Sequence, residues 1–173
     1  LKYANGEYIA GLEGDDQFFP EHLQIAFEDL KQIPNIGLYF PGKKYKRQLV
    51  ESNQIINSFY LNNIIPAPSE TIFINCNKNG IPYAYNISEY TYAPEMDLYM
   101  TIAQDTYNVF YSGIDGVIRD RTIKSRGKWK YYRDHYYFFD KYRELVQPSL
   151  DEYKKCISKI DKYAYHGLSS DIL

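Results

Sequence analysis

Cysteine, methionine, histidine and tryptophan are scarce: two, two, three and one among 173 residues. Cys76 and Cys156 lie far apart and match no zinc or redox spacing, so neither a disulfide scaffold nor a zinc module is expected. His22, His135 and His166 form no sequence cluster and read as surface or helix residues. An excess of one charge is missing too. Lysine and arginine number 20 against 22 acidic residues, a net charge of −2, which argues against a nucleic-acid partner. No apolar run approaches the length of a membrane span, and no signal-peptide pattern is read at the start. The expected compartment is the reducing cytosol, with peripheral contact at the inner face of a membrane left open.

What is present suits a folded domain. Hydrophobic residues make up 45% and charged residues 24%, enough for one real core. Tyrosine is abundant, at 20 residues. A tyrosine buries a large ring and keeps a polar tip, so a sugar-binding face is one explanation. The tyrosines are spread along the chain, which favours compositional drift instead.

The pattern along the chain is α/β. Lys2 to Gly6 reads as the end of a helix, with Gly6 as its cap. Tyr8-Ile9-Ala10-Gly11-Leu12 is an almost wholly apolar run, as expected of a strand buried on both faces in the middle of a parallel sheet. It ends in Glu13-Gly14-Asp15-Asp16. Pro20 then opens a helix with Leu23, Ala26, Phe27 and Leu30 at helical spacing, ended by Ile33-Pro34. Residues 35–40 read as the next strand. Lys43, Lys44, Lys46 and Arg47 form a basic cluster, expected as a solvated loop. A helix over 48–60, a strand over 70–75, a turn over 77–80 and a helix from Pro94 follow. Two short strands, 108–111 and 116–118, precede a long aromatic helix over 127–146. Ser149 to Glu152 is a capping box that opens the last helix.

The acidic loop carries the clearest chemistry. Carboxylates at the end of a buried strand sit where open α/β sheets bind ligands, and they are hard oxygen donors suited to Mg²⁺ or Mn²⁺. The same residues also suit a solvated turn at a helix start, where the helix dipole favours acids.

The string from Leu1 through Asp16, followed by Pro20 and Leu23, closely resembles the central signature of family 2 glycosyltransferases. The resemblance implies a mixed sheet flanked by helices, the nucleotide-binding arrangement called GT-A. It implies that Asp15 leads a divalent-metal site, Mn²⁺ or Mg²⁺, with Glu13 and Asp16 beside it. Pro94-Glu95-Met96-Asp97-Leu98-Tyr99 resembles the segment bearing the catalytic base. Glu95 stands where aspartate is usual in the family, and Asp97 is the alternative base. Gly116-Val-Ile-Arg119-Asp-Arg121 resembles a strand that usually ends in Tyr-Arg-x-His. Arg121 stands where a histidine is frequent, and Arg119 and Arg121 become candidates for the diphosphate. Arg119 could equally pair with a nearby carboxylate. Lys124, Arg126, Lys128 and Lys130 fall where the family often has a loop over the site, and water is their expected neighbour. Trp129 is expected in a core or interface.

The activity implied is inverting transfer of a sugar from a nucleotide-diphosphate donor to an acceptor hydroxyl, on a glycan or a lipid-linked acceptor, in surface polysaccharide or glycoconjugate synthesis. Residues 1–126 would form the metal-binding and acceptor-side part, and 127–173 a C-terminal helical extension. The family's N-terminal nucleotide-binding half is expected upstream of Leu1, so the chain alone is expected to be inactive and to form homo-oligomers or expose a sheet edge. The rival readings are a non-catalytic fragment or degenerate copy used in assembly, and a carbohydrate-binding module.

Overall fold

A computed structural model describes residues 3–62, 68–81, 94–119 and 128–171. Its centre is a five-stranded mixed sheet in the order β1-β5-β3-β6-β4, from β1 (Tyr8–Ala10), β3 (Ile36–Phe40), β4 (Gln48–Val50), β5 (Ile72–Ile74) and β6 (Asn108–Tyr111). β3 and β6 are parallel, whereas β5 is antiparallel to both β1 and β3, and β4 is antiparallel to β6. A second sheet pairs β2 (Asp16–Phe18) with β7 (Val117–Arg119).

The strand expected at the centre of the sheet is at its rim. Among the described residues β1 pairs only with β5, and its side chains are half-buried or exposed. The central role belongs to β3, buried along its whole length, and the reason is visible in composition. Ile36-Gly37-Leu38-Tyr39-Phe40 carries large apolar groups for both faces, whereas Ala10 and Gly11 give β1 little to bury.

Helices cover both faces. α1 (His22–Gln32) packs on one, with Ala26 against Ile36, Tyr39, Ile72 and Phe110. The other face builds the larger core, with α2 (Ser52–Asn62), α3 (Pro94–Gln104), α4 (Lys128–Lys141) and α6 (Leu150–Asp171) supplying Ile55, Phe59, Leu98, Tyr99, Phe138 and Cys156. A register irregularity between Ile36 and Leu38 lets Ile36 and Tyr39 face α1 while Leu38 and Phe40 face the larger core. Gly37 lies at that irregularity. A Cβ there would come 2.4 Å from Tyr107 Cβ and 2.5 Å from Ile102 Cγ2. Gly37→Ala is expected to lower stability by about 1–3 kcal/mol through overpacking, read as a lower urea midpoint.

Several boundaries differ from the sequence reading. No helix is seen over residues 3–6; the chain there is a turn and bend. α1 starts at His22 with Glu21 as its N-cap, so Pro20 stands just outside it. The expected helix over 48–60 is split, because Gln48–Val50 pairs with β6 before α2 begins. The strand expected over 70–75 is shorter, preceded by a 3-10 turn, Pro68–Glu70. The long aromatic helix breaks at Tyr142 into α4 and the short α5 (Arg143–Val146), which ends on the left-handed Gln147; Gly127 lies outside the described residues. The capping box forms as read. The Ser149 N–H donates to Glu152 Oε2 at 2.9 Å, and the Glu152 N–H donates to Ser149 Oγ at 3.3 Å.

The basic cluster is not simply solvated. Arg47 donates to Asp29 at 2.6 and 3.1 Å, and buried Asp29 also accepts from the Tyr39 hydroxyl at 3.2 Å. Lys43 pairs with Asp115 at 2.8 Å and Lys44 with Glu70 at 3.5 Å. His22 and His135 are helical but buried rather than on the surface, while His166 sits in α6 with its side chain outside the description. The two cysteines are free and buried.

Candidate functional site

β1 runs directly into the acidic loop, and contacts to Ser69 and Thr71 fold that loop back on the sheet. The Gly11 N–H donates to the Thr71 carbonyl at 3.2 Å. The Glu13 N–H donates to Ser69 Oγ at 2.8 Å, and the Ser69 hydroxyl reaches Glu13 Oε2 at 3.4 Å. The Asp16 N–H closes a tight turn on the Glu13 carbonyl at 3.1 Å. Glu13 and Asp15 are exposed and Asp16 is half-buried. All three acids therefore share one turn at the carboxyl end of β1, on the solvent side.

Asp16 then opens β2, where its register partner across the small sheet is Arg119. The backbone thus sets the acidic turn beside the strand expected to meet a diphosphate. The Arg119 side chain, Arg121, and the side chains of Lys124, Arg126, Lys128, Trp129 and Lys130 lie outside the described residues. A close packing fixes this sheet against α1: a Cβ on Gly116 would fall 2.3 Å from His22 Nδ1. The His22 ring packs against Phe18 at a tilt of 48°, ring centroids 5.0 Å apart, and burial pulls its pKa down.

α3 brings the second group. Pro94 fits the first helical turn, where its missing N–H costs nothing. Glu95 and Asp97 are both in that turn but have opposite surroundings. Asp97 is buried and tied down: Lys141 Nζ lies 2.7 Å from Oδ1, and the Tyr142 hydroxyl donates to the same oxygen. Glu95 lies within electrostatic reach of the acidic turn. Its carboxyl is pushed up to about 7, first by burial, then by the nearby negative charges of Glu13 and Asp134. Its own backbone N–H partly offsets this. A carboxyl poised there can exchange a proton near neutrality.

Glu13, Asp15 and Asp16 are hard oxygen donors of the kind a divalent cation takes. Among the described residues no three His, Cys, Asp or Glu side chains converge as a metal cage. Mg²⁺ keeps several waters and takes one or two carboxylates plus phosphate oxygens, so Asp15 with Glu13 or Asp16 is chemically sufficient. The described helices include none long and apolar enough to cross a membrane.

Sequence reasoning missed Asp134, Ser69 and Thr71. Asp134 is fully buried in α4, with Arg133 Nη2 3.0 Å from its Oδ1. Nothing in the local sequence marks it, because Glu95 is far away along the chain. Comparisons with protein-family models, curated proteins and solved structures find no match for this chain.

Proposed function

We propose that the chain carries the metal-side and acceptor-side carboxylates of an inverting glycosyltransferase of GT-A-like fold. It would move a sugar from a nucleotide-diphosphate donor to the hydroxyl of a glycan or lipid-linked acceptor. The observation that carries the reading is Glu95, a desolvated carboxyl held near neutrality across from the acidic turn. A carboxyl lifted by burial and like charges is a candidate acid–base group. The mixed sheet between helices supports the α/β part of this reading, and the acidic turn follows β1, which pairs antiparallel at the rim and not in a parallel centre.

In this mechanism Glu95, deprotonated, accepts the proton of the acceptor hydroxyl as that oxygen attacks the anomeric carbon. Asp15, with Glu13 or Asp16, would hold the cation, and Arg119, the register partner of Asp16, would meet the diphosphate. When bound, a Mg²⁺ or Mn²⁺ ion supplies positive charge to the departing diphosphate. Asp97 serves structure, since Lys141 and Tyr142 occupy its carboxylate.

One observation favours the second reading, a non-catalytic assembly module. Beside β1 lies an apolar cleft of about 560 Å³, lined by Tyr8, Ala10, Leu23, Ala26, Phe27 and Leu30. Leu23 and Phe27 are 49% and 61% exposed within it. Such a surface suits packing against another protein segment.

Calorimetry separates the readings. In the intact enzyme, Mn²⁺-dependent binding of UDP or GDP is expected. Asp15→Ala should weaken it roughly 10- to 100-fold, the equivalent of about 1.5–3 kcal/mol for one charged contact. If neither nucleotide binds with Mn²⁺ while the protein is folded, the transferase reading fails and the assembly reading stands.

A further inference from the structure

The acidic turn and the helix bearing Glu95 do not simply lie near each other; one short segment joins them. Ser69 and Thr71 are both buried, and they flank Glu70 at the entry to β5. On one side, Ser69 Oγ accepts the Glu13 N–H at 2.8 Å, and the Thr71 carbonyl accepts the Gly11 N–H at 3.2 Å. On the other side, Thr71 Oγ1 accepts the Tyr99 hydroxyl at 2.7 Å. Tyr99 stands four residues after Glu95 in α3, so the two share a helix face one turn apart. Tyr99 is itself buried, and its ring packs edge-on to Phe40 of the central strand. The outer face of the segment is held by Lys44 on Glu70.

We infer that Ser69 and Thr71 are positioning residues, and that segment 69–71 is a strut setting the spacing between the acidic turn and Glu95. The inference rests on the functional reading above, since spacing matters only if the two carboxylate groups act on one substrate. The physical requirement is tight. Groups that must meet opposite ends of a reacting bond lose large factors in rate when displaced by an ångström. A loop alone holds no such tolerance, whereas two buried hydroxyls and a β-strand entry do. Ser69 Oγ makes two contacts at once, one to the backbone and one to the carboxylate of Glu13, so it fixes the side chain as well as the turn.

The test reads structure and charge without needing activity. Amide hydrogen exchange and ¹³C-detected glutamate titration would be followed on the wild-type chain, Ser69→Ala, Ser69→Thr and Tyr99→Phe. Ser69→Ala should raise exchange at the Glu13 amide about tenfold or more, the size expected for loss of one buried hydrogen bond. It should also lower the Glu95 titration midpoint, because Glu13 is freed to move away. Ser69→Thr keeps the hydroxyl and should restore both. Tyr99→Phe, which touches neither Gly11 nor Glu13, should speed exchange at Gly11 through Thr71. Folded variants in which the Glu95 midpoint and the Gly11 and Glu13 amides stay at wild-type values would overturn the strut. These readouts are independent of nucleotide binding and turnover, so a failed strut and a failed transferase reading are told apart.

Discussion

On the proposed transferase reading, Glu95→Gln should abolish most turnover while leaving donor binding nearly intact. The amide keeps the side chain's shape but cannot accept the acceptor's proton, so the rate should fall by about 10²–10⁴. Wild-type kcat/KM should rise with pH through about 7, as the Glu95 carboxyl loses its proton, and that limb should vanish in the variant. Stability should move the other way. The folded carboxyl titrates near 7 against an ordinary 4.5, so the folded state binds the extra proton between those values. Its contribution is present below pH 4.5 and is lost as pH rises through 7. Above pH 7 the Glu95→Gln substitution should therefore stabilise the fold, by at most about 3–4 kcal/mol. Thermal unfolding at pH 5 and pH 8 beside a turnover assay checks both halves. Full activity in Glu95→Gln would remove it as the base.

Asp97→Ala should produce the reverse pattern, a large loss of stability with the chemistry kept in the folded fraction. Its carboxylate is buried and accepts from the Tyr142 hydroxyl and from Lys141, whose side chain is 35% exposed. Removing it takes one acceptor from a buried hydroxyl and one negative charge from a partly buried ammonium. Breaking a fully buried pair costs about 3–5 kcal/mol, and the partly exposed lysine brings the expectation to about 2–4 kcal/mol. The loss should appear as a lower urea midpoint with little change in slope. The contact also pins α4 against α3 at the break before α5, so the aromatic end of α4 should loosen first, seen as faster amide exchange. A folded Asp97→Asn protein without turnover would transfer the role of base from Glu95 to Asp97.

The two carboxylates illustrate what could be read from the chain. Both were visible in Pro94 to Tyr99, and both sit in one helical turn. Their different surroundings come from residues far along the chain: Lys141 and Tyr142 close on Asp97, while burial and the charges of Glu13 and Asp134 act on Glu95. The apolar run Tyr8 to Leu12 was legible as a strand and its acidic end as a turn. Its place in the sheet was not, because an apolar run reports that a strand is buried somewhere, not which neighbours flank it. β3 won the centre on side-chain volume for two faces. Likewise 48–60 reads smoothly as helix, yet β6 offered an open edge and drew Gln48 to Val50 into pairing, tertiary context overriding local pattern. The basic cluster 43–47 read as solvated because its carboxylate partners, Asp29, Glu70 and Asp115, are scattered through the chain.

Local order and chemical inventory were determined by the sequence alone: alternating strands and helices, the capping box at Ser149, the acidic turn and the paired carboxylates of α3. These depend on residues within one or two turns of each other, where backbone preference and periodicity act directly. Tertiary structure alone decided the strand order and the burial of Asp97 and Asp134. It also decided the Ser69–Thr71 link and the proton affinity of Glu95. Each of these depends on desolvation and on charges brought together across long stretches of chain, and desolvation exists only once the chain has closed around the group.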